Sequence, residues 1–360
     1  MEYVNLGSAG VKVSRIALGL GMRELTSADD AQRLIEHAVD SGVNLIDCAN
    51  TYGPGEWRPS IGEKISAEEI LGRVLRTRRD EVVLITKVVG EMGPGPNDRG
   101  SSRYHIMREV EQSLSRLGTD RIDVYMLHGY VEDTPLEETI RALDDLVTQG
   151  KVGYVGCSNF SAWQVCRALW IADRVNADPF VCVQNCYSLL DRELEVDMFG
   201  LVRDQGLGVM VYAPLAIGLL SGEYTPGEPP PPGSHWTLTP PGKTSHRPQP
   251  GEIRCECGCR GRGGEFDAAL PLEAASVLEA VRGIAAERGK TMPQVALNWV
   301  LSHPEATVAI SGGDRIEQLD ENIGAVGWRL SEAEMLKLNK VSADAAHYTT
   351  IPRGVRDWKT

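Results

Sequence analysis

Short apolar runs alternate with amphipathic segments along most of this chain. The apolar runs have the length of strands, and the segments between them repeat apolar residues at helical spacing, as Ala31, Leu34 and Ala38 do. Strands that alternate with helices pair in parallel through right-handed crossovers. The pattern predicts strands over residues 15–19, 44–48, 82–87, 122–128, 152–156, 180–183, 208–212 and 307–310. Helices are predicted between Ser27 and Gly42 and over residues 67–76, 102–117, 136–149, 162–175, 192–205 and 272–288.

Eight strand–helix units can close into an α/β fold of the (β/α)8 TIM barrel type. The competing layout is an open doubly wound sheet, which would carry a Gly-x-Gly-x-x-Gly turn after its first strand. The sequence lacks that turn and instead has polar residues at the ends of many predicted strands. A length of 360 residues suits one barrel with a long insertion, so we expect a single domain over residues 1–360.

Two segments lie outside the repeat. Residues 2–4 and 11–13 flank a Gly-Ser-Ala-Gly turn and are predicted to form an N-terminal β-hairpin that plugs one mouth of the barrel. Residues 223–271 are rich in Pro and Gly, which predicts an irregular insertion after the seventh strand. The insertion contains Cys255, Cys257 and Cys259 without the second cysteine pair of common zinc sites, so we expect no metal there.

Composition limits the possible partners. A formal charge of −13 disfavours nucleic acid and anionic membranes as main partners. The N-terminus has no pattern of a targeting segment, and no apolar run is long enough to span a bilayer, so a cytoplasmic location is the default expectation. The other cysteines lie in predicted strands or helices and are expected to be small buried hydrophobes: Cys48, Cys157, Cys166, Cys182 and Cys186.

Three of the apolar runs end on an ionisable residue, namely Asp47, Lys87 and His128, and Tyr52 follows in the loop after the first of them. Any one of these residues alone could be a solvated loop residue. A charge at the end of a buried strand is costly unless it is paired or functional, and the strand ends of a barrel converge on one mouth. We therefore expect the four side chains to face one another.

This constellation suits the reduction of a carbonyl group. Tyr52 can protonate a nascent alkoxide if its pKa of ~10 is lowered, and the Lys87 ammonium would do this by stabilising the phenolate. Asp47 would balance the charge of the buried lysine. His128 could hydrogen-bond the carbonyl oxygen. Such a site needs neither a nucleophile nor a metal.

A hydride donor is also required. Ser158, Asn159 and Gln184 end two strands with groups that can hydrogen-bond a carboxamide, and Tyr212 offers a ring for stacking, so together they suit a nicotinamide. Ser158 and Asn159 could instead merely cap the next helix. Residues 311–315 follow the last strand and precede a helix, a common position for phosphate binding.

Seven segments occur in the order typical of one enzyme family: DCANTYG (47–53), TK (86–87), RIDVYMLH (121–128), GCSNF (156–160), QNCYSLLDR (184–192), YAPLAIGLLSG (212–222) and QLDEN (318–322). In these segments the sequence resembles the aldo-keto reductase superfamily, and most closely its branch with potassium-channel β subunits and bacterial reductases. The resemblance implies reduction of an aldehyde or ketone to an alcohol by NADP(H) or NAD(H), with Asp47, Tyr52, Lys87 and His128 as the catalytic tetrad and Tyr52 as its acid. It also implies coenzyme contacts from Gly19, Leu20, Asp47, Ser158, Asn159, Gln184, Tyr212, Ala213, Pro214, Leu215, Ala216, Gly218, Gly312, Asp314, Arg315, Gln318, Glu321 and Asn322.

The chain departs from that branch at two positions. Glu223 replaces a common Lys and Asp314 a common Ser near the phosphate sites. These negative charges predict that discrimination between NADPH and NADH is weakened or shifted towards NADH, although Arg315 could still meet a 2′-phosphate. A second hypothesis is a nicotinamide-nucleotide-sensing regulatory subunit with slow turnover. The substrate is expected to be a small carbonyl compound whose identity depends on the loops at the barrel mouth.

Overall fold

The computed structural model describes residues 1–21, 27–53, 65–232, 270, 272–313 and 315–343. Within them an antiparallel pair precedes a closed barrel of eight parallel strands. The pair is β1 (Tyr3–Asn5) and β2 (Lys12–Ser14). The barrel strands are β3 (Ile16–Gly19), β4 (Leu45–Asp47), β5 (Val83–Val88), β6 (Ile122–Leu127), β7 (Val152–Ser158), β8 (Phe180–Cys186), β9 (Gly208–Tyr212) and β10 (Ala306–Ser311). β10 closes the barrel by pairing with both β3 and β9.

The α-helices of the described residues occupy the segments between and after the barrel strands. They are α1 (Ala28–Asp40), α2 (Ala67–Arg78), α3 (Arg103–Leu117), α4 (Leu136–Thr148), α5 (Ala162–Val175), α6 (Met198–Gln205), α7 (Ala275–Arg288), α8 (Met292–Ser302), α9 (Ile316–Ile323) and α10 (Glu332–Ser342). The predicted N-cap of the first helix is confirmed, since the Ser27 side chain accepts a hydrogen bond from the Asp30 N–H. The closed ring of eight parallel strands, the helices between them and the antiparallel pair confirm the predicted (β/α)8 barrel and its N-terminal hairpin.

Alternate residues of the strands fill the barrel interior. Leu45, Ile85 and Val124 belong to one buried cluster, which the hairpin residues Leu6 and Val13 join. The hairpin turn lies against the start of β9, because a Cβ on Gly7 (φ +58°) would stand 2.2 Å from the Gly208 nitrogen. The hairpin thus packs where the strands begin, as predicted, and the opposite ends of the strands are left for polar side chains.

Some predicted elements need correction. The helix predicted over residues 192–205 is a 3-10 turn, Glu193–Glu195, followed by α6, because Asp197 leaves helical geometry (φ −143°) at the N-cap of α6. Two helices in the second half of the chain, α8 and α10, were not predicted. α8 is apolar and buried around most of its circumference, so it lacks the stripe of an amphipathic helix. The signal that could have revealed both helices is the capping box that starts each of them.

The cysteine prediction is wrong at Cys166. Cys48, Cys157 and Cys182 are buried and Cys186 is half-buried, but Cys166 is exposed on α5. The buried stripe of α5 includes its neighbour Val165, and one further residue rotates a helical side chain by about 100°. Cys255, Cys257, Cys259 and most of the predicted insertion 223–271 lie outside the described residues.

The chain divides into two compact units. The barrel unit comprises residues 1–185, 197–212 and 305–320. The second unit is built from residues 186–196, 213–304 and 321–360, as far as they are described. The single-domain assignment stays a prediction. No helix of the described segments is long and apolar enough to cross a membrane.

Candidate active site

Lys87 and Asp47 form a buried ion pair inside the barrel. Asp47 ends β4 and pairs with Ile85 of β5, so Lys87, two residues further on, points to the same interior as Ile85. The Lys87 Nζ donates to Asp47 Oδ2 at 2.8 Å and to the Cys48 carbonyl at 2.9 Å. Lys87 is fully buried, and Asp47 is 3% exposed. The second oxygen of Asp47 accepts a 2.8 Å hydrogen bond from Gln184 Nε2, so both carboxylate oxygens have donors.

The pair keeps Lys87 charged. Burial by itself lowers the pKa of Lys87, but the charge of Asp47, the neighbouring Tyr52 and the hydrogen bond to Asp47 together outweigh this, and the pKa of Lys87 lies above its ordinary value. An unpaired ammonium at this depth would be strongly unfavourable. The interior of the barrel therefore contains a stable positive charge at the end of β5.

Tyr52 and His128 lie next to this charge. The Lys87 Nζ is 4.8 Å from the centroid of the Tyr52 ring. The Tyr52 hydroxyl is 3.3 Å from Nε2 of His128, and the two rings meet edge to face with centroids 5.5 Å apart. Burial, and then the charge of Lys87, hold the pKa of His128 well below its ordinary value, so the imidazole is neutral at neutral pH. The four residues singled out from the sequence thus come together.

The groups predicted to meet a nicotinamide lie beside this cluster. Asn159 Nδ2 donates to the His128 carbonyl at 2.9 Å and to Ser158 Oγ at 3.1 Å, while its Oδ1 accepts from the Tyr212 hydroxyl at 2.8 Å. Ser158 of β7 pairs with Gln184 of β8. The alternative that Ser158 and Asn159 cap the next helix is wrong, since the N-cap of α5 is Ser161.

Other predicted coenzyme contacts are distributed over both units. In the barrel unit Gly19 ends β3, the buried Leu20 donates its N–H to the Asp47 carbonyl at 2.8 Å, Gly312 and Arg315 are exposed, and Gln318 lies on α9. Asp314 lies outside the described residues. In the second unit Ala213, Pro214, Leu215, Ala216 and Gly218 precede a 3-10 turn, Leu219–Ser221, and Glu321 and Asn322 lie near the end of α9. Their role as coenzyme contacts stays a prediction.

Sequence reasoning missed how the loop with Tyr52 is held. The Asn50 N–H donates to the Lys87 carbonyl at 3.1 Å, which extends the pairing of β4 with β5 beyond the strand end. Thr51 packs on Gly90, where a Cβ would stand 2.3 Å from Thr51 Cγ2. Val89, between Lys87 and this contact, has φ +113°, which is strained for a β-branched residue. The only sequence signal was the polar pair that precedes Tyr52.

Known proteins resemble this chain over nearly its whole length. A sequence profile described as "Aldo/keto reductase family" matches residues 15–343. The chain is 34% identical to "Uncharacterized oxidoreductase YrpG" of Bacillus subtilis over 95% of this chain and 96% of that protein. It is 32% identical to "Probable voltage-gated potassium channel subunit beta" of Arabidopsis thaliana over 91% of each chain. It is 31% identical to "L-glyceraldehyde 3-phosphate reductase" of Escherichia coli over 96% of this chain and 93% of that protein. The sequence match and the barrel agree, and the chain belongs to the aldo/keto reductase family.

Proposed function

We propose that this protein reduces an aldehyde or ketone to an alcohol with NADPH or NADH, and that Tyr52 donates the proton. The observation that carries the proposal is the position of Tyr52, whose ring lies 4.8 Å from the buried Lys87 ammonium and whose hydroxyl lies 3.3 Å from the neutral His128. A phenol next to a fixed positive charge gives up its proton more readily, because the charge stabilises the phenolate that remains.

Each neighbour of Tyr52 has a separate task in this proposal. Lys87 supplies the positive charge, and Asp47 keeps that charge stable in the barrel interior. His128 is neutral, so it can hydrogen-bond a carbonyl oxygen near the Tyr52 hydroxyl without adding a second buried cation. These residues orient the carbonyl and move one proton to its oxygen.

The residues present fit a nicotinamide coenzyme. Ser158, Asn159 and Gln184 place hydroxyl and amide groups at the ends of neighbouring strands, next to the ring of Tyr212, and this combination suits a flat carboxamide-bearing ring. A bound nicotinamide would supply the hydride. The amide nitrogen of Asn159 already donates two hydrogen bonds within the protein and that of Gln184 donates one, so the second N–H and the Oε1 of Gln184 are what would orient the coenzyme.

Replacing Tyr52 tests the proposal directly. Tyr52→Phe should lower kcat by about 10²–10⁴-fold, because the proton donor is lost, while coenzyme binding stays close to that of the wild type. The matched control is Tyr154→Phe, the same change at a half-buried tyrosine that packs against the apolar cluster of the barrel. Coenzyme fluorescence measures binding, and coenzyme oxidation with a panel of aldehydes and ketones measures turnover. Turnover by Tyr52→Phe at the wild-type rate would remove Tyr52 from this role.

The panel should begin with L-glyceraldehyde 3-phosphate, which appears in the name of the Escherichia coli relative. The second candidate function, a regulatory subunit that senses nicotinamide nucleotides, is supported by similarity to a protein named as a potassium channel subunit. The two functions predict different results in the same experiment. A reductase oxidises the coenzyme in many turnovers with at least one carbonyl compound, whereas a sensor binds the coenzyme with slow turnover for the whole panel.

Coenzyme choice is a finer part of the proposal. Glu223 and Asp314 place negative charge where related proteins commonly have Lys and Ser, so we propose that NADH competes well with NADPH. Steady-state kinetics with both coenzymes tests this. A KM lower for NADPH by about a hundredfold or more would contradict it.

A further inference from the structure

A second buried polar cluster lies on the outer face of the barrel wall, behind the candidate active site. Side chains alternate along a strand, so Thr86 and Tyr125 point outward from β5 and β6, away from the interior that Lys87 faces. Glu68 of α2 accepts from Thr86 Oγ1 at 2.5 Å and from Arg116 Nε of α3 at 2.6 Å. This part of the cluster is fully hydrogen-bonded.

Other polar atoms of this cluster lack hydrogen-bond partners among the described residues. Asn50 Nδ2 and Oδ1, Glu109 Oε2 and the Tyr125 hydroxyl are buried and have no hydrogen-bond partner among the described residues. Asn50 and Tyr125 are 0% exposed, and Glu109 is 3% exposed. A buried polar group is destabilising if it is left unpaired in the native protein. Four atoms of this kind in one layer require an explanation.

These atoms belong to one neighbourhood. Burial, followed by the charges of Glu68 and Glu109, holds the pKa of Tyr125 well above its ordinary value, so both carboxylates are within electrostatic reach of the phenol. Burial raises the pKa of Glu109, whereas the charges of Arg116 and Arg108 and a polar contact with the Asn50 side chain lower it. Asn50 and Glu109 therefore face each other closely enough for the amide to stabilise the carboxylate, but their contact lacks the geometry of a hydrogen bond.

The chemistry of the unpaired atoms identifies what can satisfy them. The amide nitrogen of Asn50 donates, its oxygen and that of Glu109 accept, and the Tyr125 hydroxyl does both. A cation would be repelled by the donor amide, whereas water both donates and accepts and typically makes about three hydrogen bonds when it is buried. We propose that internal water bridges Asn50, Glu109 and Tyr125, and that Asn50 is thereby a positioning residue for Tyr52.

The backbone connects this water site to the active site. The Asn50 N–H is bonded to the carbonyl of Lys87, and the Tyr52 N–H donates to the Ala49 carbonyl at 3.1 Å, so Asn50 lies within the short turn that presents Tyr52. Thr51 rests on Gly90 on one side of the turn. The water-bridged side chain of Asn50 anchors the turn to α3 and β6 and fixes the distance from Tyr52 to Lys87. This step rests on the proposed function only in assigning a catalytic role to Tyr52.

Crystallography of the full chain, at a resolution that shows ordered water, tests the first half of the inference. Density is expected within about 2.7–3.2 Å of polar atoms from at least two of the residues Asn50, Glu109 and Tyr125. A direct hydrogen bond between Asn50 and Glu109, with no density between the side chains, would overturn it.

Replacing Asn50 tests the second half. Asn50→Leu keeps the shape of the side chain but cannot bind water, and we expect kcat to fall by about tenfold to a hundredfold with coenzyme affinity unchanged. The alkaline limb of the pH–rate profile should also move to higher pH, because Tyr52 moves away from the Lys87 ammonium. Asn50→Ser leaves room for an additional water and should recover part of kcat, and it serves as the test variant if Asn50→Leu does not fold.

The matched control is Ser113→Ala, which removes another fully buried hydroxyl from this layer, one that accepts from Arg116 Nη2 at 3.3 Å. It should lower the free energy of unfolding without moving kcat or the pH–rate profile.

If the wild type is active and the Asn50 variants keep its kcat and its pH–rate profile, the inference is overturned. If the wild type reduces no carbonyl compound, the proposed function fails, and crystals of Asn50→Leu decide the inference. A Tyr52 hydroxyl still 3.3 Å from His128 Nε2 would then overturn it, and a displaced hydroxyl would support it.

Discussion

Two buried ion pairs lie on opposite faces of the same region of barrel wall. Inside the barrel, Lys87 and Asp47 pair at 2.8 Å. On the outer face, Glu68 and Arg116 pair at 2.6 Å, and the hydroxyl of Thr86, the residue before Lys87, also donates to Glu68. The inner cation is fully buried, whereas the side chain of Arg116 keeps 17% of its surface exposed.

The two pairs differ in what surrounds them. The inner ammonium faces the ring of a tyrosine whose hydroxyl meets a neutral histidine, so its charge can act on a proton. The outer pair joins α2 and α3 to β5, and the phenol nearby, Tyr125, is held in its protonated form, because burial and then the charges of Glu68 and Glu109 keep its pKa well above the ordinary value. A buried ion pair is thus not in itself a sign of catalysis; its neighbours decide whether it serves chemistry or packing.

The largest effect is expected from removing the inner charge. Lys87→Met removes the cation and leaves the buried Asp47 carboxylate with its hydrogen bond from the Gln184 amide. The uncompensated charge should lower the free energy of unfolding by about 3–5 kcal/mol. We also expect kcat to fall by about 10²–10⁴-fold. Denaturant titration and steady-state kinetics measure the two effects. Lys151→Met, which removes a surface cation paired with Glu111, is the control and should change neither. If Lys87→Met turned over at the wild-type rate, the inner pair would contribute no more to the chemistry than the outer pair does.

An intermediate effect is expected from the outer pair. Glu68→Gln keeps an oxygen that can accept from Thr86 or Arg116 but removes the charge opposite Arg116, which should lower the free energy of unfolding by about 2–3 kcal/mol. Turnover measured below the unfolding transition should stay within about twofold of the wild type. A large loss of kcat without loss of stability would show that the outer pair takes part in the chemistry after all.

The smallest effect concerns the loop that links the two faces. Gly90→Ala places a methyl group 2.3 Å from Thr51 Cγ2, and overpacking of this kind should cost about 1–2 kcal/mol and displace the turn before Tyr52. Thr51→Ser removes Cγ2, and the remaining side-chain atoms, at 3.4 Å, would be in ordinary contact. The double variant should therefore regain kcat and stability that Gly90→Ala loses. If it does not, the contact between Thr51 and Gly90 does not control the position of Tyr52.

The pattern of apolar residues and turns along the sequence predicted most elements of the barrel. Strand length, helical spacing and turn residues predicted β9 and α5 to the residue, because both elements have clear stops and, in α5, one apolar stripe. The prediction of helices failed where a single residue breaks a helix or where packing buries a helix on nearly all sides. Asp197 interrupts one predicted helix, and α8 is buried on nearly all sides, so it shows no stripe.

The sequence by itself determined which side chains lie at the ends of the strands. Because strand ends converge at one mouth of a barrel, this was enough to predict that Asp47, Lys87 and His128 lie together. It could not determine the layer behind them. Which atoms of Asn50, Glu109 and Tyr125 meet depends on how α3 is rotated and seated on the barrel wall, and that is a matter of packing between residues far apart in the chain. Only the tertiary structure decided that this layer contains buried polar atoms without hydrogen-bond partners among the residues that the structure describes.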